Sequence, residues 1–252
     1  IAYLKTDNSY EMMGTRNGDN EPDRKQTRYK YSPVHQDVAV CCVPNAGRIT
    51  PYFLQKAWMQ QGKNTLVANF LAPCVLDTKL DGKNIRIENE TDYPMENHFN
   101  FHLNLQESMR MVLKIRKPSW ATSVWCSETY KLEGDYIIIE RNFKSKDSFS
   151  LSFNTNVRTC KDLKGETYFA YGAQFFAYPI KAKEFQGRVY AKGFSDYLYE
   201  PLENTRFQYI DDHQATFHHG KIHVRLLNVH TGKKEYVDLV PLQETILRQA
   251  AF

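Results

Sequence analysis

The sequence predicts a mainly β chain: two β-sandwich, jelly-roll-like domains preceded by a short helical segment. Three observations carry this. From residue 64 onward, short runs rich in β-branched and aromatic residues follow one another, among them KNIRIEN, HFNFHLNL, MRMVLKIRKP, DYIIIERNF and SFSLSF. Several alternate apolar and polar positions, the period of a strand with one buried face. Turn signals at Asp81-Gly82, Gly134-Asp135 and Lys146-Asp147 separate some of them. Many short strands at this spacing form a sandwich.

Taken in order, residues 1–13 hold a strand-like start, and 14–30 are polar and turn-rich, as in a surface loop. Residues 44–61 are the one convincing helix. Ile49, Tyr52, Phe53, Lys56 and Ala57 share helical spacing, and Gly62 is placed to end it. Pro51 is awkward inside it. A second set of strands follows in ETYFAYGAQFFAYPI, GRVYAKGF, KIHVRLLNV and KEYVDLVPL. The expected division is 1–63, 64–157 and 158–252.

The 252 residues suffice for one large or two ordinary domains. Net charge is +4 and spread along the chain, without the basic stripe of a nucleic-acid binder. No apolar run is long enough to span a bilayer as a helix. The start, IAYLKTDNSY, has no initiator Met and no signal peptide, so the chain reads as the rear part of something longer. Five cysteines at irregular spacing do not make a disulfide framework.

The chemistry concentrates in DVAVCCVPNAGR, residues 37–48. Pro44 suits the first turn of the helix, which puts Cys41 and Cys42 at the positive end of its dipole. That lowers a thiol pKa and favours the thiolate, which is both nucleophile and metal ligand. Two adjacent thiolates repel unless a cation lies between them, and zinc fits that need. The competing reading is two buried cysteines acting as small hydrophobes.

This stretch is similar to the double-cysteine signature C-C-P-P-N-x-x-R of the bacterial β-L-arabinofuranosidase family, glycoside hydrolase family 127 and its relatives. Here Val43 replaces one proline. Further signatures follow in family order. LVANFLAP at 66–73 resembles the first strand after the barrel. Thr91-Asp92-Tyr93-Pro94 resembles a T-D-Y-P turn, with Met95 where Trp is usual. LKIRKPSW at 113–120 and GDYIIIERNFKSKDSFSLSF at 134–153 resemble later strands, and FAYGAQFFAYPI and VDLVPLQETILRQAAF the final ones.

The resemblance implies an (α/α)6 barrel ahead of the β-domains, with residues 1–63 its last segment. It implies retaining glycoside hydrolysis in which a zinc-bound cysteine, by position Cys41, replaces the attacking carboxylate, with Cys42 as a zinc ligand. It implies an arabinose-containing plant oligosaccharide or polysaccharide as substrate. The other zinc ligands, in an E-x-C pattern, and the acid/base Glu lie upstream in family members, and no E-x-C precedes Cys41 here. The missing barrel portion is thus an expected partner. The fragment alone is expected to be inactive and to bind zinc weakly or not at all. A non-catalytic carbohydrate-binding or structural module is the alternative.

Other candidates are weaker. Tyr3 and His35 could touch the sugar; Tyr10 belongs to the same segment, and a loop role suits His35 equally. Arg48 could hydrogen-bond near the cysteines or sit in a surface ion pair. His213, His218, His219 and His223 read as a solvated hairpin rather than a metal site. Trp58, Trp120 and Trp125 could stack on sugars, but their apolar surroundings point to the core.

Overall fold

The computed structural model describes residues 8, 10, 12, 13, 42–192 and 194–252, the side chains of 12, 13, 42–46, 188, 190, 191, 194 and 196 excepted. In chain order the elements are β1 (Met12–Met13), α1 (Cys42–Ala57), β2 (Trp58–Gln61), β3 (Thr65–Ala68), β4 (Cys74–Leu80) and β5 (Lys83–Glu90). Next come β6 (His98–Leu105), β7 (Met109–Arg116), β8 (Ser123–Cys126), β9 (Lys131–Glu133), β10 (Tyr136–Phe143) and β11 (Lys146–Asn154). The second set is β12 (Arg158–Lys161), β13 (Thr167–Tyr171), β14 (Gln174–Pro179), β15 (Ala182–Ala191) and β16 (Phe194–Pro201). It closes with β17 (Phe207–Tyr209), β18 (Thr216–His218), β19 (Lys221–Asn228), β20 (Lys234–Pro241) and β21 (Arg248–Gln249). The mainly β class is as the sequence predicts. No helix among the described residues is long and apolar enough to cross a membrane.

Two compact units divide the chain. One runs from Arg48 to Asn156; the other holds Val157 to Phe252 with the described residues before 48.

The first unit is a sandwich of two five-stranded sheets, ordered β2-β3-β7-β10-β9 and β4-β5-β6-β11-β8. Strict alternation decides which side chains enter the core. In β6, Phe99, Phe101, Leu103 and Leu105 are buried, while His98, Asn100, His102 and Asn104 face outward. Met111, Leu113 and Ile115 of β7 and Ile137 and Ile139 of β10 join the same core. Phe101 is fully buried, stacked on Phe149 with ring centroids 4.8 Å apart and with Trp58 edge-on at 6.5 Å. The β4–β5 turn is Asp81-Gly82, both at positive φ (49° and 78°), as a tight hairpin of this hand requires.

The helix differs from its expected span. It starts at Cys42 and ends at Ala57, and residues 58–61 form β2, antiparallel to β3 through a turn at Gly62, whose φ is 65°. Tertiary contacts override the helical pattern: Trp58 packs against the sandwich core and donates its indole N–H to Cys74 Sγ at 3.3 Å. Pro51 lies inside α1.

The turn expected at Lys146-Asp147 is also displaced, because both residues already belong to β11. Asp147 is held there by four hydrogen bonds. Its carboxylate accepts from Arg141 Nη1 at 2.8 Å, Arg141 Nη2 at 3.0 Å, and the backbone N–H groups of Lys144 and Ser148, both at 2.9 Å. The Arg141 guanidinium, first among these causes, holds the carboxyl at about 2, well below its ordinary value. The side chain is only 11 % exposed, so the shift converts to about 2 kcal/mol of stability. Since the folded pKa is depressed, that contribution is complete above the unfolded value, roughly 3.9, and is lost as pH falls through about 2. Urea midpoints measured between about pH 6 and about pH 2 are expected to fall more steeply for the wild type than for Asp147→Asn, which should be less stable at the upper end.

The second unit is built on an eight-stranded sheet with the path β12-β13-β14-β20-β19-β17, β18 beside β19 and β21 beside β14. A three-stranded sheet, β1-β16-β15, completes it. Phe169, Phe176, Phe207, Ile222, Val224 and Leu239 form its core. Buried Gln249 ties β21 to β17: its amide oxygen accepts from Phe207 N–H at 2.9 Å and its NH2 donates to Phe207 C=O at 2.6 Å. Asn8 lies against the same C-terminal stretch, accepting from the N–H groups of Ala250 and Ala251 at 2.7 and 3.0 Å.

Candidate functional site

α1 opens at Cys42, the second residue of the cysteine pair. Cys41, Tyr3 and His35 lie outside the described residues, and of Cys42 only the backbone is described. A backbone in this position carries the unsatisfied N–H groups and the partial positive charge of a helix N-terminus. No acidic residue occupies the first turn to cancel it.

Whether the described residues fit a zinc ion can be tested on the remaining thiols. Cys74, Cys126 and Cys160 are all free and partly buried. Cys74 Sγ accepts the indole N–H of Trp58, and burial pushes the Cys126 thiol up, opposite to what a ligand needs. Among the described residues no three His, Cys, Asp or Glu side chains converge as a metal site. They do not complete a four-ligand set around the helix start.

Arg48 and its neighbours on α1 are exposed, and among residues 47–57 only Ala57 is buried. Ile49, 66 % exposed, and Tyr52, 64 % exposed, lie three apart on one side of the helix; Leu54, 55 % exposed, lies on another. Phe53 stacks on Phe70 with ring centroids 4.6 Å apart.

The other sequence candidates separate. Tyr10 lies under the Arg206 guanidinium, 3.2 Å from ring centroid to Cζ, within the C-terminal unit. The histidine-rich stretch is a hairpin: β18, a turn at His219-Gly220 with φ of 49° and 77°, and β19. His223 hydrogen-bonds Asp238 at 3.0 Å and stacks on Tyr236 at 5.0 Å. Trp58 and Trp120 pack against the first core, as expected. Trp125 does not: it is 52 % exposed, because its neighbours Val124 and Cys126 on β8 take the inward positions.

Two surface depressions accompany these residues. One, of about 560 Å³, lies along β4 and β5 beside Asp77 and Arg86. The other, of about 360 Å³, is lined by Tyr209, Asp211, Asp212 and His213 in the second unit. Tyr209 donates its hydroxyl to Asp211 at 2.8 Å, and Asp212 pairs with Lys234 at 2.8 Å, so their polar groups already serve each other.

The comparisons with known proteins bear on the first unit and on the fold of the chain. Residues 65–155 match the family described as Beta-L-arabinofuranosidase, GH127 middle domain. The matched stretch contains the signatures between 66 and 153 that resemble the same family.

The crystal structure of a GH127 β-L-arabinofuranosidase from Geobacillus stearothermophilus T6 shares the fold over 97% of this chain, with a TM-score of 0.56 and 15% identity. A structure described as a glycoside hydrolase aligns over 80% of this chain with a TM-score of 0.53 and 16% identity. This chain spans 40% of the first structure's length and 36% of the second's. A search of the curated proteins found no match.

Proposed function

We propose that this chain is the C-terminal part of a retaining glycoside hydrolase of β-L-arabinofuranosidase type and supplies its nucleophile, Cys41. One observation carries the reading: a helix that opens at the cysteine pair leads directly into a GH127 middle domain.

In a retaining hydrolase one group attacks the anomeric carbon while another protonates the leaving oxygen, and water then releases the sugar. Cys41, ahead of α1, would attack as thiolate; Cys42, at the helix start, would share a zinc ion with it. Zinc, when bound, would keep both thiols deprotonated. The two ligands that the cysteine pair does not provide, and the proton donor, would come from the barrel portion. The exposed apolar side chains of α1, Ile49 and Tyr52 above all, are where that portion would pack. The stretch at α1 would then be a barrel segment, while β1 and β2 belong to the β-units. The substrate would be an arabinose-containing oligosaccharide.

The chain alone would lack its general acid, whose assistance is worth roughly 10²–10⁴-fold. We expect the purified chain to release no measurable p-nitrophenol from p-nitrophenyl β-L-arabinofuranoside, and to purify without stoichiometric zinc. Turnover that disappears in Cys41→Ala would overturn the division of the active site. Zinc bound through other residues would overturn the reading of the cysteine pair.

A further inference from the structure

The outward face of the first unit's β4-β5-β6-β11-β8 sheet has an unusual edge. Trp125 stands on the terminal strand β8, 52 % exposed, with no hydrogen bond or ring partner among the described residues. Its cross-strand partner is Ser152 of β11, whose partner in turn is His98 of β6. Two residues along each strand, on the same face, Ser150 opposes Asn100. These rows hold side chains about 5 Å apart on one face.

The polar groups beside the indole are fixed by one another. Ser150 donates its hydroxyl to Asn100 Oδ1 at 2.7 Å. His98 Nε2 lies 3.1 Å from the same oxygen, which can only accept, so Nε2 carries the proton in the neutral ring. His98 Nδ1 is then the acceptor for the Ser152 hydroxyl at 2.7 Å. Asn100 is left with both amide N–H donors unpaired among the described residues, and each serine keeps lone pairs to offer. Elsewhere on the sheet the outward residues form ion pairs, Arg86 with Asp77 at 2.6 Å and Lys83 with Glu107 at 2.7 Å. The row of Trp125, Ser152 and His98 carries no carboxylate, lysine or arginine, and the row of Ser150 and Asn100 reaches one charged neighbour, Glu90 of β5, which lies 3.3 Å from His102 Nε2.

We infer that this edge binds a neutral oligosaccharide, with Trp125 as the platform for a sugar ring and Asn100, Ser150 and Ser152 as hydrogen-bond partners. A sugar ring has an apolar C–H face and a rim of hydroxyls that both donate and accept. An open indole meets the first, and a preorganised, uncharged set of donors and acceptors meets the second. An anionic polymer would find no cation here. An apolar protein surface would leave the Asn100 donors buried and unpaired. The site uses none of the residues assigned to catalysis, so it stands or falls independently of the hydrolase reading.

The test is NMR titration of the ¹⁵N-labelled chain with arabinohexaose, xylohexaose and a hexamer of galacturonate. Three tryptophans give three indole signals, and Trp125→Phe assigns the one of interest. Saturable movement of that signal with a neutral hexamer is expected, with millimolar or tighter affinity, while Trp58, bonded to Cys74, stays still. Trp125→Ala should weaken binding at least tenfold, Trp125→Phe less, and Asn100→Ala severalfold with the fold intact by its spectrum. Should Trp125→Ala fail to fold, Asn100→Ala decides. The proposal is overturned by no saturable shift with either neutral hexamer, by preference for the galacturonate, or by unchanged affinity in the Asn100 variant. Concentration-dependent dimerisation that buries Trp125 and excludes sugar would also overturn it.

Discussion

Replacing Cys41 by alanine in the whole enzyme is expected to lower kcat for a β-L-arabinofuranoside by at least about 10³-fold while leaving the fold in place. In the proposed mechanism Cys41 forms the covalent bond to the anomeric carbon, so the loss would fall on the chemical step rather than on substrate binding. Cys42→Ala should fail differently: zinc is lost first, and activity follows the metal content. Kinetics and zinc analysis on the two variants separate these roles. Equal zinc loss with residual activity in Cys41→Ala would reverse them.

The largest stability effect is expected at Phe101. It is fully buried, stacked on Phe149 at 4.8 Å, and faces the edge of Trp58 at 6.5 Å. Phe101→Ala removes that ring and leaves a cavity between two sheets whose backbones are tied by their own ladders and cannot close on it. The expected cost is about 3–5 kcal/mol. Phe101→Leu, which refills much of the volume, should cost clearly less. Urea unfolding of the chain checks both, and the indole of Trp58 should report the loss locally. A cost below about 1 kcal/mol for the alanine variant would mean that the two sheets do not share one core.

Much of this fold is legible in the sequence because a strand with one dry face announces itself by alternation. Strands β5, β6, β7 and β11 show buried and outward residues taking turns as their composition predicts. The Asp81-Gly82 turn is legible because few residues accept positive φ. What local pattern cannot show is which segment claims a residue. Trp58 to Gln61 continue the helical spacing of α1, but pairing with β3 and a place for the indole beside Phe101 outweigh it. Asp147 looks like a turn residue until Arg141 of the neighbouring strand is placed beside it. The parallel pairing of β3 with β7 has no local signal.

The candidate residues divide along similar lines. Adjacent cysteines just before a proline at a helix start are a local pattern, so Cys41 and Cys42 stand out in the sequence as candidates. Trp125 is not, because its apolar neighbours Val124 and Cys126 suggest burial. Only the strand's pleat shows that they point inward and it points out. The hydrogen-bonded set of His98, Asn100, Ser150 and Ser152 comes from two strands about fifty residues apart and has no sequence signature.

The central claim, that Cys41 is the nucleophile of a retaining hydrolase, is tested most directly by peptide mass mapping of the whole enzyme. The enzyme is quenched during turnover of an arabinofuranosyl donor whose second step is slow. A retaining mechanism forms a sulfur–carbon bond to the anomeric centre before water breaks it, so one pentosyl unit should be found on the peptide containing Cys41 and be absent in Cys41→Ala. An adduct on a carboxylate, or full turnover by Cys41→Ala, would contradict the account.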